Sequence, residues 1–173
     1  MNDRKGKETI QGWLGLPNPV KDPSHEFVMT VMLASRMLST AGRQLLSNTG
    51  LTEAQFNILM LLRYQFADGA TQVGLSRCVL VNRANITGLV DRLERDGLVA
   101  RKSKKGDRRI KIVTLTPKGA DHLSIAEPLY FEGIKKVSKG ISQTEQQAVE
   151  ETLLCLCRLV HETISPEKGG VGR

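Results

Sequence analysis

Apolar positions recur at helical spacing through most of this chain and alternate at strand spacing in one short region. From about Pro23 to Asn48, Phe27, Val31, Leu38, Leu45 and their neighbours return at three- and four-residue intervals, which predicts an amphipathic helix. Asn48 and Gly50 end it. In "LTEAQFNILMLLRYQ", Thr52 and Gln55 form a capping box, and Phe56, Leu59, Met60 and Arg63 continue at helical spacing until "ADG" breaks the pattern. A short helix is expected over about Gln72 to Leu80, with a short extra strand near Thr71.

The segment "VNRANITGLVDRLERDGLV" predicts a helix from Asn82, a good N-cap, to about Arg95, with Gly97 as its stop. Ile86, Leu89, Val90 and Leu93 fall at i, i+3, i+4 and i+7 and form one apolar stripe. Two strands follow, Val99–Lys102 and Ile110–Leu115, around a glycine-containing tip. Thr116 caps the next helix, and Pro117 sits in its first turn, where the missing N–H costs nothing. That helix runs to about Val137, with irregularity expected around Pro128 and Gly133. The last helix begins with a second capping box, Ser142 and Glu145, and carries the stripe Val149, Leu153, Leu156, Val160. A single stripe of this kind fits a monomer core and a partner chain equally well.

The order is helix, helix, short helix, capped helix, hairpin, helix, helix. The fold class expected is mainly α with a small β wing, a helix-turn-helix followed by a two-stranded wing and flanked by longer helices. Residues 1–22, rich in Gly, Pro and charge and carrying the single Trp13, read as a loose arm, and residues 166–173 as a tail.

Charge adds what the pattern lacks. The formal net charge over 173 residues is +7. The stretch from Val81 to Gly119 holds eleven Lys or Arg against four Asp or Glu, and the remaining residues hold fourteen of each. The whole excess therefore sits on one helix and its hairpin, an electrostatic footprint for a polyanion rather than general basicity. The outer face of the Asn82–Arg95 helix carries Ala84, Thr87, Gly88, Asp91 and Arg95, with Arg83 and Arg92 on its flanks. Small or hydrogen-bonding residues near the N-terminus and flanking cations suit a helix that enters the major groove of DNA. Arg83 can read guanine or clamp a phosphate, Asn85 and Thr87 can donate to either, and Ala84 can meet a thymine methyl. Asp91 is expected to pair with Arg95, four residues on. At the hairpin tip, Asp107 is expected to fix Arg109 as a rigid finger for the minor groove, while Lys104, Lys105 and Arg108 meet phosphates.

The stretch "NRANITGLVDRLERDGLVARKSKKGDRRIKIVTLTPKG" resembles the core signature of the MarR-type winged helix-turn-helix regulators. The likeness extends upstream through "LTEAQFNIL" and covers roughly Leu51 to Gly119. It implies a winged DNA-binding lobe over 51–116 and a helical dimerisation region over 23–50 and 117–165. It also implies a homodimer whose first and last two helices interlock, and a pseudo-palindromic operator. The half-sites of that operator would lie about one helical turn apart, on the order of 10 bp. Carried onto matching positions, Asp107 and Arg109 take the family's Asp-x-Arg wing role, and the residues from Arg83 to Arg92 take the recognition-helix role. The DNA-contacting set is then Asn82, Arg83, Ala84, Asn85, Thr87, Gly88, Arg92, Arg95, Lys104, Lys105, Asp107, Arg108 and Arg109.

Members of this family are often released from DNA by small phenolic or lipophilic ligands, by oxidants or by metals. The residues matching the ligand region here are Met29, Met32, Arg36, Phe56 and Met60, though core packing is the commoner role for any one of them. The peroxide-sensing cysteine near the start of the first helix is missing. Cys78 reads as a buried small apolar residue, and Cys155 and Cys157 point to different sides of the last helix. His25, His122 and His161 are dispersed and suggest no metal site.

With no phosphate loop, nucleophile–base pair or metal cluster, an enzyme is not expected, nor is a cofactor. The odd cysteine count, the absence of a signal-peptide pattern and the short apolar runs point to a reducing cytoplasm and no membrane span. Two readings follow. One is a sequence-specific, effector-responsive repressor acting on double-stranded DNA. The other is an architectural DNA- or RNA-binding protein that uses the basic wing without choosing sequence.

Overall fold

The computed structural model describes residues 9–79, 85–104 and 106–164, apart from the side chains of residues 104 and 108. The elements are α1 (Ile10–Leu14), α2 (Pro23–Leu46) with a 3-10 turn Ser47–Thr49, and α3 (Glu53–Tyr64). After these come β1 (Ala70–Thr71), α4 (Gln72–Cys78), α5 (Ile86–Arg95), β2 (Val99–Lys104) and β3 (Asp107–Leu115). The chain closes with α6 (Pro117–Ser138) and α7 (Gln143–Ile164). It divides into two compact units, Met1–Tyr130 and Phe131–Arg173.

Local chemistry sets most boundaries. Asp22 caps α2 by accepting the His25 N–H at 2.8 Å, with Pro23 in the first turn. The Thr52–Gln55 box that starts α3 is reciprocal. The Thr52 hydroxyl accepts the Gln55 N–H at 3.3 Å, and the Gln55 amide oxygen accepts the Thr52 N–H at 3.0 Å. Gly50, at φ +70, carries the chain from the 3-10 turn into that box. Within the arm, α1 is capped by Thr9, and its Ile10 is buried. α6 runs through Pro128 without a break, so the irregularity expected there is not observed.

Three strands form one antiparallel sheet in the order β1-β3-β2. Ala70 and Thr71 pair with Val113 and Ile112, which bears out the extra strand expected near Thr71. β2 and β3 pair from Val99↔Leu115 to Ser103↔Lys111, and the register shifts beyond Ser103. Both strands extend further toward the tip than their apolar alternation indicated.

One core holds the first unit together. Phe56, Ile58, Leu59 and Leu62 of α3 pack with Leu75, with the α5 stripe, and with Val99, Val113 and Leu123. Leu46 closes it from α2. An Nε2–H of His122, half-buried on α6, donates to the Thr49 carbonyl at 2.6 Å and ties α6 to the 3-10 turn. α2 meets the start of α3 at Gly42, where a Cβ would lie 2.8 Å from Glu53 Oε1. Elsewhere α2 buries little. Its predicted stripe is largely open, with Phe27 and Leu38 exposed, because only Gly42 and Leu46 are buried.

Candidate nucleic-acid interface

The helix α5 is held by its apolar stripe. Ile86, Leu89, Val90 and Leu93 are all buried, as their spacing predicted. Its C-terminus closes on Gly97, at φ +74, whose N–H donates to Glu94 O at 2.9 Å while the Leu98 N–H reaches Leu93 O at 2.8 Å. These are the paired bonds of a Schellman stop.

On the opposite face Asn85, Thr87, Asp91, Arg92 and Arg95 are exposed, and Gly88 is half-buried. Among the described residues, a Cβ added to Gly88 would meet nothing closer than Asn85 Oδ1 at 3.6 Å, an ordinary contact distance. Asn85 flanks the helix start with φ −99 and ψ −7 and makes no side-chain cap. The expected N-cap Asn82, together with Arg83 and Ala84, lies outside the described residues.

The wing is β2, β3 and the tip between them. Gly106 turns the tip at φ +89. The Asp107 carboxylate accepts the backbone N–H of Arg109 at 2.9 Å. The acid thus holds Arg109 through its backbone at the start of β3, and the Arg109 side chain is exposed. Lys102 and Lys111 are also exposed, and Lys111 Nζ donates to Ser103 Oγ at 2.8 Å across the hairpin. Lys105 lies outside the described residues, as do the side chains of Lys104 and Arg108.

The wing is clamped to the helix by Arg101. Its two terminal nitrogens donate to Asp91 Oδ1 and Glu94 Oε2, each at 2.5 Å, and its backbone N–H donates to Glu94 Oε1 at 3.0 Å. Burial opposes the guanidinium charge, but the bonds to Asp91 and Glu94 outweigh it and hold the arginine more firmly protonated than usual. Asp91 therefore pairs across to the wing, not with Arg95 as helical spacing suggested. Arg95 instead lies 3.4 Å from Asp96, with both side chains largely in water, where such a pair contributes little.

The clamp was readable from the strand period. Arg101 shares the inward face of β2 with buried Val99 and pairs with buried Val113, a place where a cation needs an acid partner.

The base of the wing is sealed by "LTPKG". The Thr116 hydroxyl donates to the carbonyls of Gly97 and Leu98, at 2.7 and 3.0 Å, and accepts the Gly119 N–H at 3.0 Å. Lys118 Nζ donates to Asp96 O at 2.8 Å. Gly119 packs so closely that an added Cβ would lie 2.0 Å from Leu98 O.

The five ligand candidates are not brought together. Met29 is half-buried and Met32 and Arg36 are exposed on α2, while Phe56 is 1% exposed in the core, its ring 4.7 Å from that of Tyr130. Met60 lines a cleft of about 270 Å³ with Asn57, Leu61, Tyr64, Gln65 and Cys78. Cys78 is exposed on this cleft rather than buried, which corrects the packing role expected of it. At the end of α3, the Tyr64 hydroxyl donates to Glu127 Oε1 at 2.6 Å, a bond that raises its pKa, and Arg63 reaches Ser124 and Glu127. Among the described residues no group of His, Cys, Asp and Glu is placed to hold a metal ion, and no helix is long and apolar enough to cross a membrane.

The model of the MarR family matches residues 51–111, from the start of α3 through the wing tip. The HTH-type transcriptional repressor YetL of Bacillus subtilis is 31% identical over 123 residues, 71% of this chain and 74% of that protein. The chain belongs to the MarR family. This is a family of winged helix transcriptional regulators, not of enzymes. The transcriptional activatory protein BadR of Rhodopseudomonas palustris is 40% identical over 86 residues, about half of each chain at 49%. Among solved structures, CouR from Rhodococcus jostii RHA1, bound to p-coumaroyl-CoA, superposes with a TM-score of 0.69 at 27% identity. That likeness covers 79% of this chain and 95% of CouR.

Proposed function

We propose that this MarR-family chain is a cytoplasmic, sequence-specific repressor that binds a pseudo-palindromic operator as a homodimer and leaves it when a small aromatic or lipophilic effector binds. The observation that carries the reading is the pairing of a bare recognition face with a basic wing. α5 presents Asn85, Thr87 and a Gly88 that no described residue crowds, and Arg109, Lys102 and Lys111 stand exposed on the hairpin beside it. Small polar residues suit base edges, and an exposed arginine suits the narrow, electronegative minor groove. Asn82, Arg83, Ala84, Arg92, Arg95, Lys104, Lys105 and Arg108 complete the proposed contact set, with Asp107 holding the backbone beneath Arg109.

A homodimer is favoured by apolar surface the chain leaves open. Among the described residues of α7 none is buried, and Ile141, Val149, Leu153 and Leu154 border an apolar groove of about 360 Å³. Patches of this kind mark association surfaces. The Met60 cleft supports the effector, since a flexible thioether and an aromatic ring suit an apolar ligand. The p-coumaroyl-CoA bound to CouR favours an aromatic acyl group, and YetL favours repression.

The test is fluorescence anisotropy on the DNA upstream of the chain's own gene, against a scrambled duplex, at two salt concentrations. Preference for the upstream duplex, weakened by about 1–3 kcal/mol in Arg109→Ala, is expected for one strong groove contact. Equal binding to both duplexes that vanishes with salt sinks the reading and leaves a sequence-indifferent polyanion binder.

A further inference from the structure

Arg101 belongs to the wing by chain and to the recognition helix by contact. We propose that it is a positioning residue for DNA recognition: it masks the carboxylates of Asp91 and Glu94 on α5 and fixes the wing against that helix, without touching DNA itself. The inference rests on the DNA-binding reading above.

Asp91 and Glu94 lie three residues apart on α5, on the side that faces the wing. Left bare, two carboxylates on a groove-entering helix sit well within a Debye length of the phosphate rows and repel them. Arg101 reaches both with its terminal nitrogens, and its backbone N–H takes the second oxygen of Glu94. Its side chain is only 20% exposed, against 57% for Asp91 and 38% for Glu94. A planar guanidinium can serve two acceptors at fixed angles, whereas a lysine ammonium is a single point charge. The cation counted in the basic run is therefore spent inside the protein, where it converts an acidic flank into a hydrogen-bonded joint between the two DNA-facing elements.

The test is a mutant cycle read by operator affinity in the full-length protein, with thermal melts to follow folding. Wild type is first compared on upstream and scrambled duplexes. A lack of preference there brings down the DNA reading, and this proposal with it, before any variant is made. Given a preference, Arg101→Gln is expected to weaken operator binding roughly tenfold in the otherwise native protein, as loss of one partner from a semi-buried charge cluster does. In the Asp91→Asn/Glu94→Gln background the same change is expected to cost less than about twofold, because there is no acid left to mask.

Arg101→Lys, which keeps the charge and loses the fork, is expected to follow Arg101→Gln rather than wild type. An equal cost in both backgrounds, or full operator affinity in Arg101→Lys, means that Arg101 acts as a charge toward DNA and overturns the proposal. No cost in either background overturns it as well.

Discussion

The winged lobe and the last helix are built on opposite terms. In the lobe, α3 alone contributes Gln55, Phe56, Ile58, Leu59 and Leu62 to the buried set, and α5 adds four more residues. α7 is nearly twice as long as α3, and none of its described residues is buried, though Val149, Leu154, Leu159 and Ile164 are large and apolar. Both helices start from a serine or threonine capping box, so the difference lies in what covers them rather than in how they begin. The lobe carries its own core. The described apolar residues of α7 are not buried within the chain, and the proposed second copy would cover them.

The sharpest way to break the lobe is at its seam. Gly119→Ala puts a Cβ onto the Leu98 carbonyl and is expected to cost about 3 kcal/mol, since the clash is with backbone and no side chain can move aside. Denaturant unfolding measures it. A loss under about 1 kcal/mol shows that the start of α6 is looser than its bonds to Gly97 and Leu98 imply.

The corresponding change in α7 is Leu154→Glu, at a position 62% exposed within the chain. It should leave the lobe's own unfolding untouched and raise the dissociation constant of the proposed dimer on the order of a hundredfold, as charge in an apolar interface does. Sedimentation equilibrium decides. An unchanged constant places the interface elsewhere and removes the contrast drawn here.

The smallest effect is on pH. The Ser142 hydroxyl and N–H both donate to Glu145 and hold its carboxyl below the usual glutamate range. With the folded value depressed, the stabilisation of the helix start is complete above the unfolded value and is lost as pH falls through the folded one. NMR shifts in the first turn of α7 should follow that step in wild type and stay flat in Glu145→Gln. A step at the ordinary glutamate position shows the box to be open in solution.

Features set by neighbours in sequence were legible before the fold was known. Both capping boxes, the Ile86–Leu93 stripe, the Gly97 stop and the Thr116 cap depend on residues no more than seven positions apart. The features that were misread depend on the fold turning back on itself. Helical spacing pairs Asp91 with Arg95 because it sees only local partners, while the actual partner is ten residues on, across the turn into the wing. Cys78 was placed inside on composition, but α4 spans only seven residues and buries Leu75 alone, which leaves the thiol at the cleft. For the ligand candidates, Phe56 and Met60 sit four residues apart on one helix, and one fills the core while the other lines a cleft. Sequence spacing cannot separate those fates.

The shift in register beyond Ser103 divides the hairpin into two parts with different obligations. Below it, five residue pairs from Val99↔Leu115 to Ser103↔Lys111 run in step, and the middle of that stretch is also held by β1. Above it, Gly106 and the Asp107 turn close the tip with bonds of their own. Val113 and Arg101 both belong to the in-step part, so a change confined to the tip is expected to leave the core strand and the clamp to α5 in place. The hairpin's reach is thus open to change over evolutionary time while its foundation stays the same.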